Sequence, residues 1–189
     1  MKLPDSAHRS QPWRIHEIAK GFRLEDVWAL PTPGRREDFP SLVQWLAGAG
    51  DHQRPSASGP AKALFAVRSW LGNLLGWDRP DPQRPTLRDR LPPDLAAAAG
   101  PAFRGLPFES LYLLENEWAA ELANRTMHGI LHVGWVRDSG DGYTGQMAIL
   151  VKPNGMLGRA YMAAIRPFRH LIIYPQWTRQ IGRAWRTMQ

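Results

Sequence analysis

The sequence predicts an α+β fold in which an antiparallel sheet packs against a long C-terminal helix. The first observation is the polar turn at Ser139–Gly142, whose residues tolerate positive φ and which separates two apolar, β-branched or aromatic runs. The second is a set of apolar residues at helical spacing after Gly155, which marks a helix with one face buried on something flat. These residues are Leu157, Tyr161, Ile165, Phe168 and Ile172. The chain has 189 residues, 43% of them hydrophobic, and residues 1–189 are therefore expected to form one domain with a sizeable core.

In the first half of the chain, helices follow a single strand. Residues 10–21 are expected to form a short polar helix or arm, and the near-alternation of residues 23–30 predicts a strand that prolines end. Pro40 sits near the start of a short amphipathic helix that glycines close at about residue 50. Residues 61–77 predict a second, stronger helix after a polar loop.

The second half begins with a Pro-rich loop at about residues 79–105, which contains one helical turn and the capping box Thr86-x-x-Asp89. Strands are expected at residues 110–114 and 117–123, because Asn124–Arg125 resembles a two-residue hairpin turn. The long pair of strands follows, and Pro153–Asn154–Gly155 ends the second of them. The predicted sheet is therefore a meander of about four strands together with the first strand.

Alternation along residues 126–135 predicts which face of this strand is buried. Met127, Leu131, Val133 and Trp135 form the more apolar set and are expected to pack against the helix at 157–172. The opposite set, with His128 and His132, is expected to lie on a half-solvated outer face. If the sheet is turned the other way, these histidines would line a cavity, where an imidazole could act as a base.

Neither the histidines nor the nearby glutamates predict a metal or catalytic site. At about 3.3 Å per residue, His128 and His132 would be about 13 Å apart along a strand, too far to hold one ion. Glu115, Glu117 and Glu121 alternate with apolar residues, a pattern typical of a solvent-exposed strand face rather than of a catalytic carboxylate pair. The chain has no cysteine, so thiolate sites are excluded, and we predict no metal, no cofactor and no catalytic residue.

Aromatic side chains on the predicted apolar faces suggest a pocket between the sheet and the C-terminal helix. Core packing alone can explain them, but such a surface also suits a flat or oily ligand that meets few polar groups. The candidate pocket residues are Trp28, Trp118, Trp135, Tyr143, Gln146, Met147, Tyr161 and Phe168.

Positive charge is concentrated at the end of the chain. The net charge is +7, and after Asp141 the sequence has seven basic residues and no acidic one. Arg179, Arg183 and Arg186 form a stripe on the last helix, opposite its apolar positions, that could meet an anionic membrane surface. A solvated arginine-rich face is the simpler interpretation. The sequence has no recognised nucleic-acid-binding motif, which disfavours nucleic acid as a partner. The chain shows no signal peptide and no apolar run long enough to span a membrane, so we expect it in the cytoplasm.

Three stretches of the chain carry a family resemblance: Asp26–Gly34 (DVWALPTPG), Glu117–Trp135 (EWAAELANRTMHGILHVGW) and Gly145–Arg169 (GQMAILVKPNGMLGRAYMAAIRPFR). They resemble a bacterial family, domain of unknown function 2867. The order of predicted elements is also similar to the helix-grip fold of the START-like (SRPBCC, Bet v 1-like) superfamily. Some relatives are fused behind an NAD(P)-binding module, but no G-x-G-x-x-G follows a strand here, so their reductase activity is not implied for this chain.

Three functional hypotheses remain open from the sequence. The first is a non-catalytic or weakly catalytic helix-grip domain that binds a small hydrophobic ligand between the sheet and the C-terminal helix. The second is a cyclase- or hydrolase-like enzyme that uses His or Tyr in that cavity. The third is a module that binds an anionic surface or a protein through its basic C-terminal helix.

Overall fold

A computed structural model describes residues 1–52, 86–104, 107–124, 126–156, 159 and 174–188. Within these ranges, antiparallel strands form one six-stranded sheet in the order β1-β2-β6-β5-β4-β3. The strands are β1 (Lys2–Leu3), β2 (Arg23–Ala29), β3 (Glu109–Leu113), β4 (Glu117–Ala123), β5 (Met127–Arg137) and β6 (Tyr143–Pro153). The longest strands, β5 and β6, lie at the centre and pair over their full length, from Met127 opposite Pro153 to Arg137 opposite Tyr143.

Helices cover both faces of this sheet. They are α1 (Asp5–Arg9), α2 (Ile15–Ile18), α3 (Phe39–His52), α4 (Pro93–Ala97) and α5 (Tyr174–Met188), with 3-10 turns at Arg36–Asp38 and Arg88–Arg90. We call residues 1–22, which contain β1, α1 and α2, the arm. The arm pairs with the edge of the sheet through β1, where Lys2 is opposite Trp28.

One sheet face, which we call the helix face, packs against α3 and α5. Its core includes Trp28, Trp118, Leu131, Val133, Trp135 and Met147 from the strands, Leu42 and Leu46 from α3, and Ile181 and Trp185 from α5. Gly145 on β6 permits the close approach of α3, because a Cβ atom there would lie 3.0 Å from Leu42 Cδ2. Burying each large apolar side chain stabilises the fold by about 1.5–3 kcal/mol.

The opposite face, which we call the arm face, packs against the arm and residues 87–95. Its core includes Val27, Ala119, Ile130 and Ala148 from the strands, Trp13, Ile15 and Ala19 from the arm, and Leu87 and Leu95 from the segment before β3. Adjacent residues such as Val27 and Trp28 therefore contribute to different cores, as the alternation of a strand requires. The sheet is buried on both sides.

The strands predicted at 23–30, 110–114 and 117–123 are confirmed to within about one residue, as is the long pair around Ser139–Gly142. The capping box is also confirmed, since Asp89 Oδ2 accepts from Thr86 N at 3.0 Å and Asp89 N donates to Thr86 Oγ1 at 3.2 Å. The helix expected to end by Gly50 continues to His52. The helix expected at 61–77 lies outside the described residues, as do residues 79–85 of the Pro-rich loop and, apart from residue 159, the helix expected at 157–172.

The predicted inner set on β5 is largely confirmed. Leu131, Val133 and Trp135 belong to the helix-face core, while Met127 at the strand end is half-buried. The helix that was expected to cover them lies outside the described residues. Among the residues that the structure describes, α3 and α5 are the helices that contribute to this core.

Candidate functional site

The candidate pocket residues divide between the two sheet faces. Trp28, Trp118, Trp135 and Met147 all belong to the helix-face core, and Tyr143 packs against it. Gln146 lies on the arm face, because it precedes Met147 on β6 and alternation turns the two side chains in opposite directions. Its amide Nε2 donates to Ala7 O in the arm at 3.4 Å. Tyr161 and Phe168 lie outside the described residues.

The indoles of the helix face are packed against other rings. Trp118 stacks on Phe103 with the ring centroids 5.1 Å apart, and Trp135 lies parallel to Tyr143 at 6.4 Å. Trp185 on α5 meets Trp135 edge-on at 6.1 Å.

Protein acceptors satisfy the indole N–H groups at three of these positions. Trp118 donates to Ser110 Oγ at 3.0 Å and Trp135 to Arg35 O at 2.9 Å. Trp185 donates to Pro33 O at 2.8 Å. These rings therefore offer an apolar surface rather than hydrogen bonds.

The arm face has a buried polar network centred on the Glu117 carboxylate. Glu117 Oε2 accepts from Arg14 N at 2.8 Å. Glu117 Oε1 accepts from Ile15 N at 2.8 Å, from the Tyr112 hydroxyl at 2.6 Å, and lies 3.1 Å from His132 Nε2. The carboxylate thus ties the start of α2 in the arm to three strands of the sheet.

Histidines extend this network into the arm. His132 Nδ1 lies 3.1 Å from His8 Nε2, and both residues are buried, with 0% and 1% of their surface exposed. His16 Nε2 lies 3.3 Å from His8 O, and its ring meets the His8 ring edge-on. A chain of polar contacts therefore runs from Tyr112 through Glu117 and His132 to His8.

Burial and hydrogen bonding set the protonation states in this network. Burial alone would raise the pKa of Glu117. Hydrogen bonds from His132, Tyr112 and Arg14 N, together with the charge interaction with His132, outweigh this effect, so the pKa of Glu117 lies below its ordinary value. Burial lowers the pKa of His132, although Glu117 opposes the shift. Burial, followed by the neighbouring His132 and His16, lowers the pKa of His8 to about 3. Burial and the Glu117 charge raise the pKa of Tyr112. At neutral pH the network thus contains an ionised Glu117, neutral His8 and His132, and a protonated Tyr112.

A second carboxylate–imidazole pair lies four residues further along β4. Glu121 Oε2 lies 2.6 Å from His128 Nε2 and accepts from Leu87 N at 2.8 Å, while Oε1 accepts from Arg88 N at 3.0 Å. Burial raises the pKa of Glu121, but these bonds outweigh it and lower the net pKa. Glu121 therefore holds the 3-10 turn at Arg88–Arg90 against the sheet, as Glu117 holds α2.

These contacts correct two expectations from the sequence. His128 and His132 do lie on the sheet face opposite to Leu131, Val133 and Trp135, but they are buried rather than half-solvated. Glu117 and Glu121 are each 2% exposed and do not face solvent, because the arm and residues 87–95 cover them. Glu115 alone of the three glutamates is exposed, and it pairs with Arg36 Nη2 at 2.6 Å.

The sequence does contain a signal for this pairing. Two glutamates four residues apart precede two histidines four residues apart, on strands that are separated by three residues in the sequence. In the observed register, Ala119 is opposite His132 and Ala123 is opposite His128, so each glutamate is the diagonal neighbour of a histidine on the same face. Within the described ranges, no group of three or more His, Asp or Glu side chains could hold a metal ion.

The basic stripe of the last helix is exposed as expected. Arg179, Arg183 and Arg186 lie on the solvent side of α5, while Ile181 and Trp185 are buried in the helix-face core. Among the helices that the structure describes, none combines the length and the apolar character needed to cross a bilayer.

Comparison with known proteins identifies a family but no characterised relative. A family model described as "Protein of unknown function (DUF2867)" matches residues 18–176. No curated protein and no solved structure matches the chain. The matched range begins at the end of α2, so it includes Glu117, Glu121, His128 and His132 but not His8.

Proposed function

We propose that this chain, which belongs to the DUF2867 family of proteins of unknown function, is a helix-grip domain that binds a small apolar ligand between the sheet and α5. The observation that carries the proposal is the division of the sheet into two chemically different faces. The helix face bears tryptophan, methionine and aliphatic side chains, whereas the Glu117 and Glu121 networks lie on the arm face. A ligand between the sheet and α5 would therefore meet an apolar, aromatic surface.

The strand order supports the helix-grip part of this proposal. β2 lies beside β6, and β6, β5, β4 and β3 then form a meander to the other edge. α3 follows β2, and α5 follows the last strand and packs on the same face. An N-terminal strand (here β2) beside the last strand, with a C-terminal helix across the sheet, is the arrangement expected of the START-like (SRPBCC) helix-grip fold.

The hydrogen bonds of the indoles support an apolar ligand rather than a polar one. Because Trp118, Trp135 and Trp185 already donate to protein acceptors, a ligand would gain contact area and ring stacking from them. Trp28, Trp118, Trp135 and Met147 are at most 8% exposed, so uptake against these side chains requires α3 or α5 to separate from the sheet. Binding should therefore change the fluorescence of tryptophans on the helix face.

Placement of the histidines disfavours the enzymatic alternative. His128 and His132 lie on the arm face, where Glu121 and Glu117 hold them. An apolar ligand on the helix face would be separated from both imidazoles by the sheet itself. We therefore assign them no role toward such a ligand.

Titration with an apolar fluorescent probe, followed by native mass spectrometry of the natively purified chain, tests the proposal. Ala120→Val would fill space on the helix face, and Ala119→Val, at the adjacent and equally buried position, is the matched control on the arm face. We expect Ala120→Val to weaken probe binding about tenfold, which corresponds to about 1.4 kcal/mol, and Ala119→Val to leave it unchanged in a folded protein. The proposal would be overturned if the wild-type chain took up no probe, or if both variants weakened probe binding equally.

A further inference from the structure

Three polar atoms on the arm face are buried without a hydrogen-bond partner among the residues that the structure describes. They are His8 Nδ1, Trp13 Nε1 and Gln146 Oε1. Their residues are 1%, 4% and 4% exposed. Buried polar atoms nearly always have a partner in folded proteins, so such a group requires an explanation.

The three side chains lie in one part of the arm face, close to Gly134 and His132. The Trp13 ring lies directly over this glycine, since a Cβ atom there would be 2.4 Å from Trp13 Cζ2. Gln146 is the residue opposite Gly134 on β6. His8 contacts His132, which precedes Gly134 by two positions and faces the same side, and Gln146 Nε2 reaches Ala7 O beside His8.

The tautomers of the two histidines follow from the Glu117 network. The ionised Glu117 carboxylate can only accept, so His132 Nε2 carries the proton and donates to it. The other nitrogen of the neutral His132 ring, Nδ1, is then an acceptor, and His8 Nε2 must donate to it. His8 Nδ1 therefore carries no proton and can only accept a hydrogen bond.

Donor and acceptor roles at the other two atoms are also fixed. Gln146 Nε2 faces the carbonyl oxygen of Ala7, which orients the amide and leaves Gln146 Oε1 as an acceptor. Trp13 Nε1 is a donor in every protonation state. The site thus presents two acceptors and one donor.

We propose that His8 Nδ1, Trp13 Nε1 and Gln146 Oε1 bind one internal water molecule, which bridges the arm to the central strands. Water donates twice and accepts, so it complements all three atoms, and buried waters typically make about three such bonds. A metal or ammonium cation has no acceptor for the Trp13 N–H group. An anion such as chloride cannot donate a hydrogen bond to the two acceptors, His8 Nδ1 and Gln146 Oε1. The site therefore selects a neutral molecule with two donor hydrogens.

Nuclear magnetic resonance of the full chain tests this site directly. We expect the Trp13 indole proton, assigned by its loss in Trp13→Phe, to show a dipolar cross-peak to water with the sign of a long-lived complex. The controls are the indole protons of Trp118, Trp135 and Trp185, which donate to protein oxygens and should show no such peak. Absence of the peak at Trp13, or equal peaks at all four indoles, would overturn the proposal.

The histidine tautomers provide a second measurement that needs no variant of the site. Nitrogen-15 shifts at neutral pH should place the proton on Nε2 in both His8 and His132. A proton on His8 Nδ1 would make that atom a donor, leave the site with two donors and one acceptor, and overturn the deduction above.

Discussion

At the scale of single residues, Glu117 organises the polar half of the protein. Its two oxygens receive the backbone N–H groups of Arg14 and Ile15, the Tyr112 hydroxyl and the His132 ring N–H group. The donors come from the arm, β3 and β5, so one carboxylate on β4 joins three separate parts of the chain. A buried charge is tolerated here because hydrogen bonds take the place of its hydration.

We predict that Glu117→Gln destabilises the protein by about 3–5 kcal/mol, because the amide loses the charge and turns a donor toward groups that themselves donate. Glu115→Gln is the matched control: Glu115 is two residues away, its side chain is 70% exposed, and it pairs with the exposed Arg36. The control should change the free energy of unfolding by no more than about 0.5 kcal/mol. Urea unfolding of both variants is the measurement, and equal losses would contradict the prediction.

His8 gives the folded protein a specific sensitivity to acid. The unfolded chain takes up a proton on His8 below its ordinary pKa of 6.5, whereas the folded chain resists it down to about pH 3. Stability should therefore fall as the pH drops from about 6.5 toward 3, by about 1.4 kcal/mol per pH unit from this group. His132, whose pKa is also lowered, changes stability in the same direction.

His8→Gln should reduce this slope by about 1.4 kcal/mol per pH unit, since glutamine can still donate to His132 Nδ1 but does not titrate. The measurement is denaturant unfolding at a series of pH values from 7 to 4. An unchanged slope in the variant would show that His8 is not the group responsible.

At the scale of elements, the arm is the part of the fold that sequence patterns describe least well. Its contacts are long-range, since His8 and His132 are separated by 124 positions and Arg14 and Glu117 by 103. The strands were predictable because alternation and turn residues act locally. Burial of Glu117 and the histidines depends on which segment covers the arm face, and no local pattern specifies that.

Docking of the arm on β5 requires a glycine at position 134. We predict that Gly134→Ala costs about 1–3 kcal/mol, because its Cβ atom would lie 2.4 Å from Trp13 Cζ2. Gly129→Ala on the same strand is the control, since its nearest neighbour would be Met127 Cε at an ordinary 3.7 Å. Thermal unfolding of both variants is the measurement. In a Trp13→Leu background the cost of Gly134→Ala should shrink, and an undiminished cost would argue against this contact.

At the scale of the whole molecule, the prediction of an antiparallel sheet with a C-terminal helix is confirmed, whereas the number of covered faces was not foreseen. The alternation around Val133 correctly identified one apolar face. The other face was expected to be solvated because its histidines and glutamates were considered singly. Each glutamate can be buried because it hydrogen-bonds to the histidine diagonal to it on the neighbouring strand. This diagonal pairing becomes evident only once the strand register is known.

The charge distribution of the molecule gives a prediction for α5. Because Arg179, Arg183 and Arg186 are exposed, replacing all three with Gln should change the free energy of unfolding by no more than about 0.5 kcal/mol per site. Each arginine near an anionic bilayer contributes about 1 kcal/mol, so the triple variant should bind anionic vesicles about two orders of magnitude more weakly. Binding of the wild-type chain should also fall with salt, since charges are screened over about 8 Å at physiological ionic strength.

Vesicle co-sedimentation of the wild-type chain and the triple variant at two salt concentrations checks this prediction. Neutral vesicles are the control for apolar adsorption. Equal, salt-insensitive behaviour of the two proteins would reduce the arginine stripe to a solvated helix surface.

The edge-on contact between Trp135 on β5 and Trp185 on α5 has an optical consequence. The two indoles lie 6.1 Å apart with their planes inclined by 62°, so their electronic transitions couple in a chiral arrangement. Circular dichroism in the aromatic absorption region should therefore contain a component that depends on α5 being seated on the sheet. Release of this helix, by ligand entry or by a membrane surface, would change that component while the backbone signal of the sheet persisted. The protein thus contains a native, label-free reporter of the position of its C-terminal helix.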